Sequence, residues 1–281
     1  MKPVTFEYVA ARSVEEAVAA LGRDDDAKPI AGGQSLVPAL NMRLVRPTLL
    51  VDLNRAGLDT IESKGFLHVG ATVRQATLEH DLRAHPLLRE ALPFVGHFVT
   101  RNRGTVGGSI AHADGSAEIP VCLSAVGGTI VAEGPGGRRE IEPDAFFVTH
   151  FLTTLGPGEL VVATLWPQPE EHEGSAFEEF ALRAGDYALS MVAVVLRRVD
   201  GVAQNVRIRV GAVTDRPTGI TGAEAALEDV CITLAIAQEA GRIAAAAVDP
   251  PGSIHATPGY LRSLTGTLVE RALLRAWERA G

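Results

Sequence analysis

Two cysteines in 281 residues leave too little sulfur for a disulfide-built fold, and an iron–sulfur cluster would need about four thiolate ligands. Any such cluster must therefore sit on another chain. The eight histidines show neither H-x-x-x-H nor H-E-x-x-H spacing, so no metal site is predicted. Positive charge is also scarce: the formal net charge is -8 and the basic residues are dispersed, which argues against a nucleic-acid footprint. Arg101 and Arg103 are only a local exception. No apolar stretch approaches the ~20 residues that span a bilayer, and the best run, ALSMVAVVL from Ala188 to Leu196, has the length of a strand. The N-terminal MKPVTFEYVAARSVEEAVAAL lacks the long apolar core and small-residue cleavage site of a signal peptide, so a cytoplasmic location is expected. What remains, 46% hydrophobic and 21% charged residues, suits a globular protein of one large or two modest domains.

Ser13 before VEEAVAAL has the form of an N-cap, and Val14, Ala17, Val18 and Leu21 recur at helical spacing. Lys28 to Ala31, the helix-like LVPALNMRL and the β-rich TLLVDL (Thr48 to Leu53) read as a β-α-β unit. FLHVGA (Phe66 to Ala71) begins a second unit, with helical patterns over Val73 to His85 and Leu87 to Thr100. Residues 101–120, RNRGTVGGSIAHADGSAEIP, are poor in large apolar side chains and are expected to add little to a core. A helix over Ile119 to Ala125 and a hairpin turning at Gly134-Pro135-Gly136-Gly137 follow. GELVVATLWP ends a strand at Pro167, and the acidic, proline-bearing Gln168 to Gly174 is the best candidate for a linker. Beyond it FEEFALR, ALSMVAVVLRR and VRIRVGAV read as three strands of a small antiparallel sheet. An alanine-rich helix over Ala223 to Val248 and a last helix over roughly Tyr260 to Arg279 complete the pattern.

Two glycine loops share one form. AGGQSL (Ala31 to Leu36) and TVGGS (Thr105 to Ser109) each place adjacent glycines before a polar residue and a return to apolar sequence. Paired glycines allow positive φ and let amide N–H groups approach an anion without interference from Cβ. A following helix N-terminus adds its dipole, and Ser35, Thr105 and Ser109 can donate hydroxyls to phosphate oxygens. Two such loops, about seventy residues apart, suit a pyrophosphate held from two sides; an ordinary tight turn is the alternative for either pair taken alone. Gly127-Gly128 and Gly136-Gly137 lack the polar flank and read as turns. There is no G-x-x-x-x-G-K-[ST] and no G-x-G-x-x-G between strand and helix, which disfavours a P-loop or Rossmann site.

AGGQSL, RNRGTVGGSIAHADGSAEIP, the GDYAL of Gly185 to Leu189 and HATPGYLRSLTGTLVERALLRA, in this order over nearly the whole chain, resemble the FAD-binding medium subunit of the molybdenum hydroxylases, the family of carbon monoxide and xanthine dehydrogenases. The resemblance implies an α+β fold. It would comprise a two-subdomain α/β FAD-binding domain of the molybdenum hydroxylase and vanillyl-alcohol-oxidase-like type over 1–168 (subdomains about 1–56 and 57–168), then a C-terminal three-stranded antiparallel sheet with helices over 175–281. It places the first flavin loop on Ala31, Gly32, Gly33, Gln34, Ser35 and Leu36, and the second on Thr105, Gly107, Gly108 and Ser109. Asp114 follows close behind, Glu118 falls at the acidic position that meets the ribityl chain, and Tyr187 falls where the family often sets an aromatic against the isoalloxazine ring. A strand tyrosine packed at a domain interface is the other reading of Tyr187. Asn is common in the family where this chain has Ser109, Asp where it has Glu118, and Gly where it has Thr149. Cys122, in apolar VCLSAV, reads as a small buried hydrophobe.

The implied function is electron transfer, with no substrate-oxidising residue on this chain. Flavin accepts electrons singly and delivers them in pairs, while the protein supplies placement and electrostatics. In the family the substrate is oxidised at a molybdenum cofactor on a large subunit. Electrons pass through two [2Fe-2S] clusters on a small subunit to FAD and then to an external acceptor, in what is expected to be a dimer of heterotrimers. A stand-alone flavoprotein oxidase or reductase is the alternative; it would need a general base or a covalent flavin link beside the ring, and no cluster of His, Tyr and Cys offers one. A scaffolding module without flavin is opposed by the two intact glycine loops.

Overall fold

In the computed structural model, which describes residues 2–281, the chain opens with β1 (Glu7–Ala10), α1 (Val14–Leu21), β2 (Lys28–Ile30), α2 (Leu36–Asn41) and β3 (Leu49–Asp52). Ser13 caps α1 as its sequence predicts, its hydroxyl accepting the Glu16 N–H at 3.2 Å. The three strands form a parallel sheet in the order β1-β3-β2, and each helix provides the crossover that parallel neighbours require. β1 was not expected. Glu7 and Tyr8 are exposed, so the segment carries no alternation of its own and is defined by its pairing with the buried Leu49, Leu50 and Val51.

The second unit runs through β4 (Ile61–Lys64), β5 (Phe66–Gly70), α3 (Gln75–Glu79), α4 (Pro86–Ala91), a 3-10 turn at Leu92–Phe94, α5 (Phe98–Arg101), α6 (Val106–His112) and α7 (Glu118–Val126). It continues with β6 (Thr129–Gly134), β7 (Gly137–Ile141), α8 (Pro143–Phe146), β8 (Phe147–Thr149), β9 (Leu152–Thr153) and β10 (Leu160–Pro167). Five strands make an antiparallel sheet in the order β4-β5-β10-β6-β7. The two long helices expected over 73–85 and 87–100 are short pieces instead. His85 precedes Pro86 and is driven to ψ 135°; Pro93 ends the next segment, and Gly96 turns the chain at φ +50°. The buried Arg101 holds that turn, donating to the carbonyls of Pro93, Val95 and Gly96 and to Glu79 at 2.7 Å. The 101–120 run contributes more to the core than its composition suggests: Val106 and Ile110 are fully buried, with α6 against β5 and β10. Thr149 has a local role, its hydroxyl donating to Asp215 at 2.7 Å.

The C-terminal part adds β11 (Glu173–Phe180), β12 (Ser190–Val199), β13 (Val202–Gly211), β14 (Thr218–Gly219), α9 (Thr221–Leu227), α10 (Leu234–Ala247) and α11 (Pro258–Arg279). The three expected strands pair antiparallel, and the two-residue β14 joins the edge as a fourth. The helix expected over 223–248 is divided. Asp229 adopts φ +58°, and Thr233 starts α10 afresh as an N-cap for the Ile236 N–H. α10 and α11 cross where Gly241 faces Gly266; a Cβ on Gly241 would lie 2.5 Å from the Gly266 carbonyl oxygen. No described helix is long and apolar enough to cross a membrane.

β12 joins the two cores. Met191, Ala193 and Val195 pack with the core of the first two sheets, while Val192, Val194 and Leu196 pack with α10 and α11. Burial of both faces explains why this strand is continuously apolar rather than alternating. α7 lies against β12 and β13 on one side and β10 on the other, with all nine residues buried.

Charge also ties the parts together. Glu90 on α4 accepts from Arg275 and from Arg279 of α11 (Nη1 to Oε2, 2.7 Å), and from the Phe177 N–H of β11 at 3.2 Å. Burial pushes the Glu90 carboxyl upward, but Arg279, the Phe177 amide and Arg275 outweigh it and hold it below its ordinary range. A depressed carboxyl contributes stability that is present above its unfolded pKa and lost as pH falls through the folded one. Glu90→Gln should cost about 2 kcal/mol at pH 7. In urea unfolding followed by circular dichroism, the gap between variant and wild type should shrink as pH is lowered below 5; a constant gap would show that ionisation of Glu90 is not what stabilises the junction.

Candidate functional site

The first glycine loop fills the five residues between β2 and α2. Gly33 takes φ +73°, a conformation that costs glycine nothing and strains residues with a Cβ. The Val37 N–H closes the turn onto the Gly33 carbonyl at 3.0 Å. None of the amide N–H groups of Gly32, Gly33, Gln34 and Ser35 has an acceptor among the described residues. The Ser35 hydroxyl, at the N-cap of α2, makes no capping bond. A cleft of about 300 Å³ opens here, lined by Gly32, Gly33, Gln34, Val37, Pro38 and Arg103. Ala31 precedes these donors and Leu36 begins the helix beyond them.

The second loop uses its glycines differently. Thr105 is 2% exposed and caps α6, its hydroxyl accepting the Gly108 N–H at 3.1 Å. The Gly107 N–H donates to the Ala71 carbonyl at 3.0 Å, and a Cβ on Gly107 would lie 2.4 Å from that of Ala71. A Cβ on Gly108 would meet Thr105 Oγ1 at 2.6 Å, and Ser109 N–H is bonded to the Thr105 carbonyl at 3.1 Å. Glycine here permits close packing of backbone on backbone, while the free amide donors lie on the first loop. The loops touch: a Cβ on Gly32 would lie 2.4 Å from the Arg103 carbonyl oxygen.

Beyond α6 the chain turns at Ala113 in the left-handed region, φ +51°. Asp114 then accepts the Ser116 N–H at 2.9 Å. Glu118, at the first turn of α7, is 8% exposed. Burial pushes its carboxyl up to about 7, its own amide and Arg101 acting downward and Asp114 upward. Glu179 on β11 is pushed up to about 8, by burial and then by Glu118, and its Oε2 is buried without a partner. Tyr187 stands 72% exposed on the loop between β11 and β12. Partial burial and then the Asp114 and Glu118 charges raise its hydroxyl pKa. That loop is anchored at Gly185, φ +83°, where a Cβ would meet His97 Cε1 at 2.4 Å.

His112 packs on Phe151 with ring centroids 4.9 Å apart, and burial lowers its pKa. Cys122 is fully buried, as its apolar setting predicts, and burial raises its thiol pKa. Arg103, which lines the cleft, is not singled out by the sequence, and neither are Asn54, Arg74 and Glu179. Arg103 sits in the quoted motif, but neither its spacing nor its type marked it; the other three reach the site from distant segments.

The chain matches the family model of the FAD binding domain in molybdopterin dehydrogenase over residues 4–169 and that of the CO dehydrogenase flavoprotein C-terminal domain over residues 175–276. It is 40% identical to the 6-hydroxypseudooxynicotine dehydrogenase complex subunit alpha of Paenarthrobacter nicotinovorans, with 100% of this chain and 97% of that protein covered. A chain of carbon monoxide dehydrogenase from Hydrogenophaga pseudoflava, solved in a form lacking the Mo-pyranopterin moiety of the molybdenum cofactor, superposes with a TM-score of 0.97 at 36% identity and 100% coverage of both chains. Quinoline 2-oxidoreductase from Pseudomonas putida 86 gives a TM-score of 0.95 at 37% identity, covering 100% of this chain and 99% of that one.

The raised carboxyl of Glu118 makes a prediction of definite sign. A folded pKa near 7, above the ordinary carboxylate value, means that the folded state binds the proton more tightly. That contribution is fully present below the unfolded pKa and is lost as pH rises through the folded one. Relative to wild type, Glu118→Gln should therefore gain stability between pH 5 and pH 8, read from thermal melts across that range. A difference that does not vary with pH would mean that Glu118 is ionised throughout.

Proposed function

The chain belongs to the family of FAD-carrying medium subunits of the molybdenum hydroxylases, and on that premise we propose that it is the electron-transfer subunit of a heterotrimeric oxidoreductase. Its expected partners are a large subunit that oxidises substrate at a molybdenum cofactor and a small subunit carrying two [2Fe-2S] clusters, assembled as a dimer of heterotrimers. Electrons would enter from the small subunit and leave to an external acceptor. Within the chain, 1–168 would form the FAD-binding part, with subdomains about 1–56 and 57–168, and 175–281 the C-terminal part.

The observation that carries this reading is the group of four amide donors at Gly32, Gly33, Gln34 and Ser35, without acceptors among the described residues, beside a cleft that Arg103 also lines. Such a donor set suits a diphosphate, since clustered amide N–H groups favour a dianion. Bound FAD supplies one-electron acceptance and two-electron delivery. The residues of this chain would do the positioning. Ala31 and Leu36 flank the donors, and Thr105, Gly107, Gly108 and Ser109 close the site from the second loop. Asp114 and Glu118 would accept from ribityl hydroxyls, and the exposed ring of Tyr187 would cover one face of the isoalloxazine. With Glu118 raised to about 7, its carboxyl can hold a proton at neutral pH and so donate as well as accept.

Two measurements test the reading. Purified from its native host through a tag on this chain, the protein should bring down a large and a small subunit and show flavin and iron–sulfur absorbance; a lone yellow chain reduced directly by a small molecule would replace the proposal with a stand-alone flavoenzyme. Gly108→Asp should retain FAD at least about tenfold more weakly, because a carboxylate would face the diphosphate and its Cβ would collide with the Thr105 hydroxyl. Full flavin occupancy in that variant would remove the second loop from the site.

A further inference from the structure

We propose that Asn54 and Arg74 form a positioning device that sets the direction of the first loop's anion-binding amide; the inference rests on the FAD reading above. Asn54 follows the end of β3, and Arg74 precedes α3. Arg74 Nη1 donates to the Arg103 carbonyl at 2.7 Å, and its Nη2 donates to Asn54 Oδ1 at 2.6 Å. Asn54 Nδ2 donates to the Ala31 carbonyl at 3.0 Å. One side-chain bridge thus joins the backbones of both glycine loops.

The Ala31 carbonyl and the Gly32 N–H belong to a single planar trans peptide, so they point in opposite directions. Holding the carbonyl against Asn54 turns the Gly32 N–H away from it, and that N–H has no acceptor among the described residues. The orientation of the Asn54 amide is itself fixed. Arg74 is only a donor and requires Oδ1, which leaves Nδ2 for Ala31. Asn54 is anchored further by Asp52, which accepts its backbone N–H at 2.8 Å and whose other oxygen accepts the Tyr8 hydroxyl at 2.5 Å. The chain Tyr8, Asp52, Asn54 and Arg74 therefore spans from β1 to the second loop. Arg74 also pairs its backbone with Thr105 in an isolated bridge, which roots the side chain beside the second loop.

Aspartate at position 54 separates positioning from mere contact. Asn54→Asp keeps an acceptor for Arg74 but replaces Nδ2, which donates to both the Ala31 carbonyl and Asp52 Oδ1, with a charged oxygen that repels both. Asn54 is exposed, so the change opens no core. The full-length chain would be stripped of flavin and titrated with FAD, following quenching of flavin fluorescence, beside melting of the same apoproteins. Asn54→Asp, Asn54→Ala and Arg74→Ala should each weaken FAD binding about tenfold, with apoprotein melting changed by only a few degrees. The Asn54→Ala/Arg74→Ala pair should lose no more than either single variant, as expected of two groups acting through one bridge. Arg74→Lys, which cannot reach both partners, should not restore affinity. Additive losses, or affinities equal to wild type, would overturn the proposal while leaving the FAD reading intact. Failure of the wild-type chain to bind FAD would overturn both.

Discussion

The two glycine loops meet through the approach of two backbones: the Arg103 carbonyl lies where the Cβ of any residue but glycine at position 32 would have to sit. This contact brings the loop after β2 against the loop before α6, and the placement of the parallel and antiparallel sheets around it follows. The two glycine pairs answer different demands. Gly32 and Gly33 free a row of amides and a positive φ, whereas Gly107 and Gly108 let the start of α6 lie directly on Ala71 and on its own cap. A motif that reads as one repeated device is physically a donor set facing a packing joint.

Around that contact the electrostatics change character over a short stretch. Arg74 and Arg103 stand at the loop junction, where burial and then Arg103 lower the Arg74 pKa. Asp114 and Glu118 follow α6 along the chain, and Glu118 and Glu179 are raised by burial. A cofactor with an anionic middle and a hydroxylated arm is complementary to such a gradient. A basic stripe would favour the phosphates alone, and clustered ionised carboxylates would repel them.

Much of this was legible in the sequence where the determinants are local. Ser13, the hairpin at Gly134 to Gly137 and the three long C-terminal strands follow from caps, turns and apolar runs, and the observed elements agree with them. The failures have a common cause. β1 and the polar β4 exist because a partner strand offers hydrogen bonds, and neither Glu7–Ala10 nor Ile61–Lys64 alternates in a way that reveals it. The helical periodicity over 73–85 and 87–100 suggests two long helices separated at Pro86, but within the second of them Pro93 and Gly96 outweigh it. For the candidate site, the two glycine loops, Asp114, Glu118 and Tyr187 are the residues that motifs single out. Asn54 and Arg74 could not, since their importance lies in reaching the carbonyls of Ala31 and Arg103, residues 23 and 29 positions away.

β12 has a further consequence. Its alternate side chains belong to different cores, and α7, buried throughout, rests on β12 and on its neighbour β13. A break in the polar segment 168–172 would therefore sever the covalent chain without yielding two self-sufficient halves. The N-terminal fragment would expose the flank of α7 that β12 and β13 cover, and the C-terminal fragment would present Met191, Ala193 and Val195 to water. The molecule is two modules in its topology but one cooperative unit in its folding, and a nick at that segment would leave a noncovalent complex.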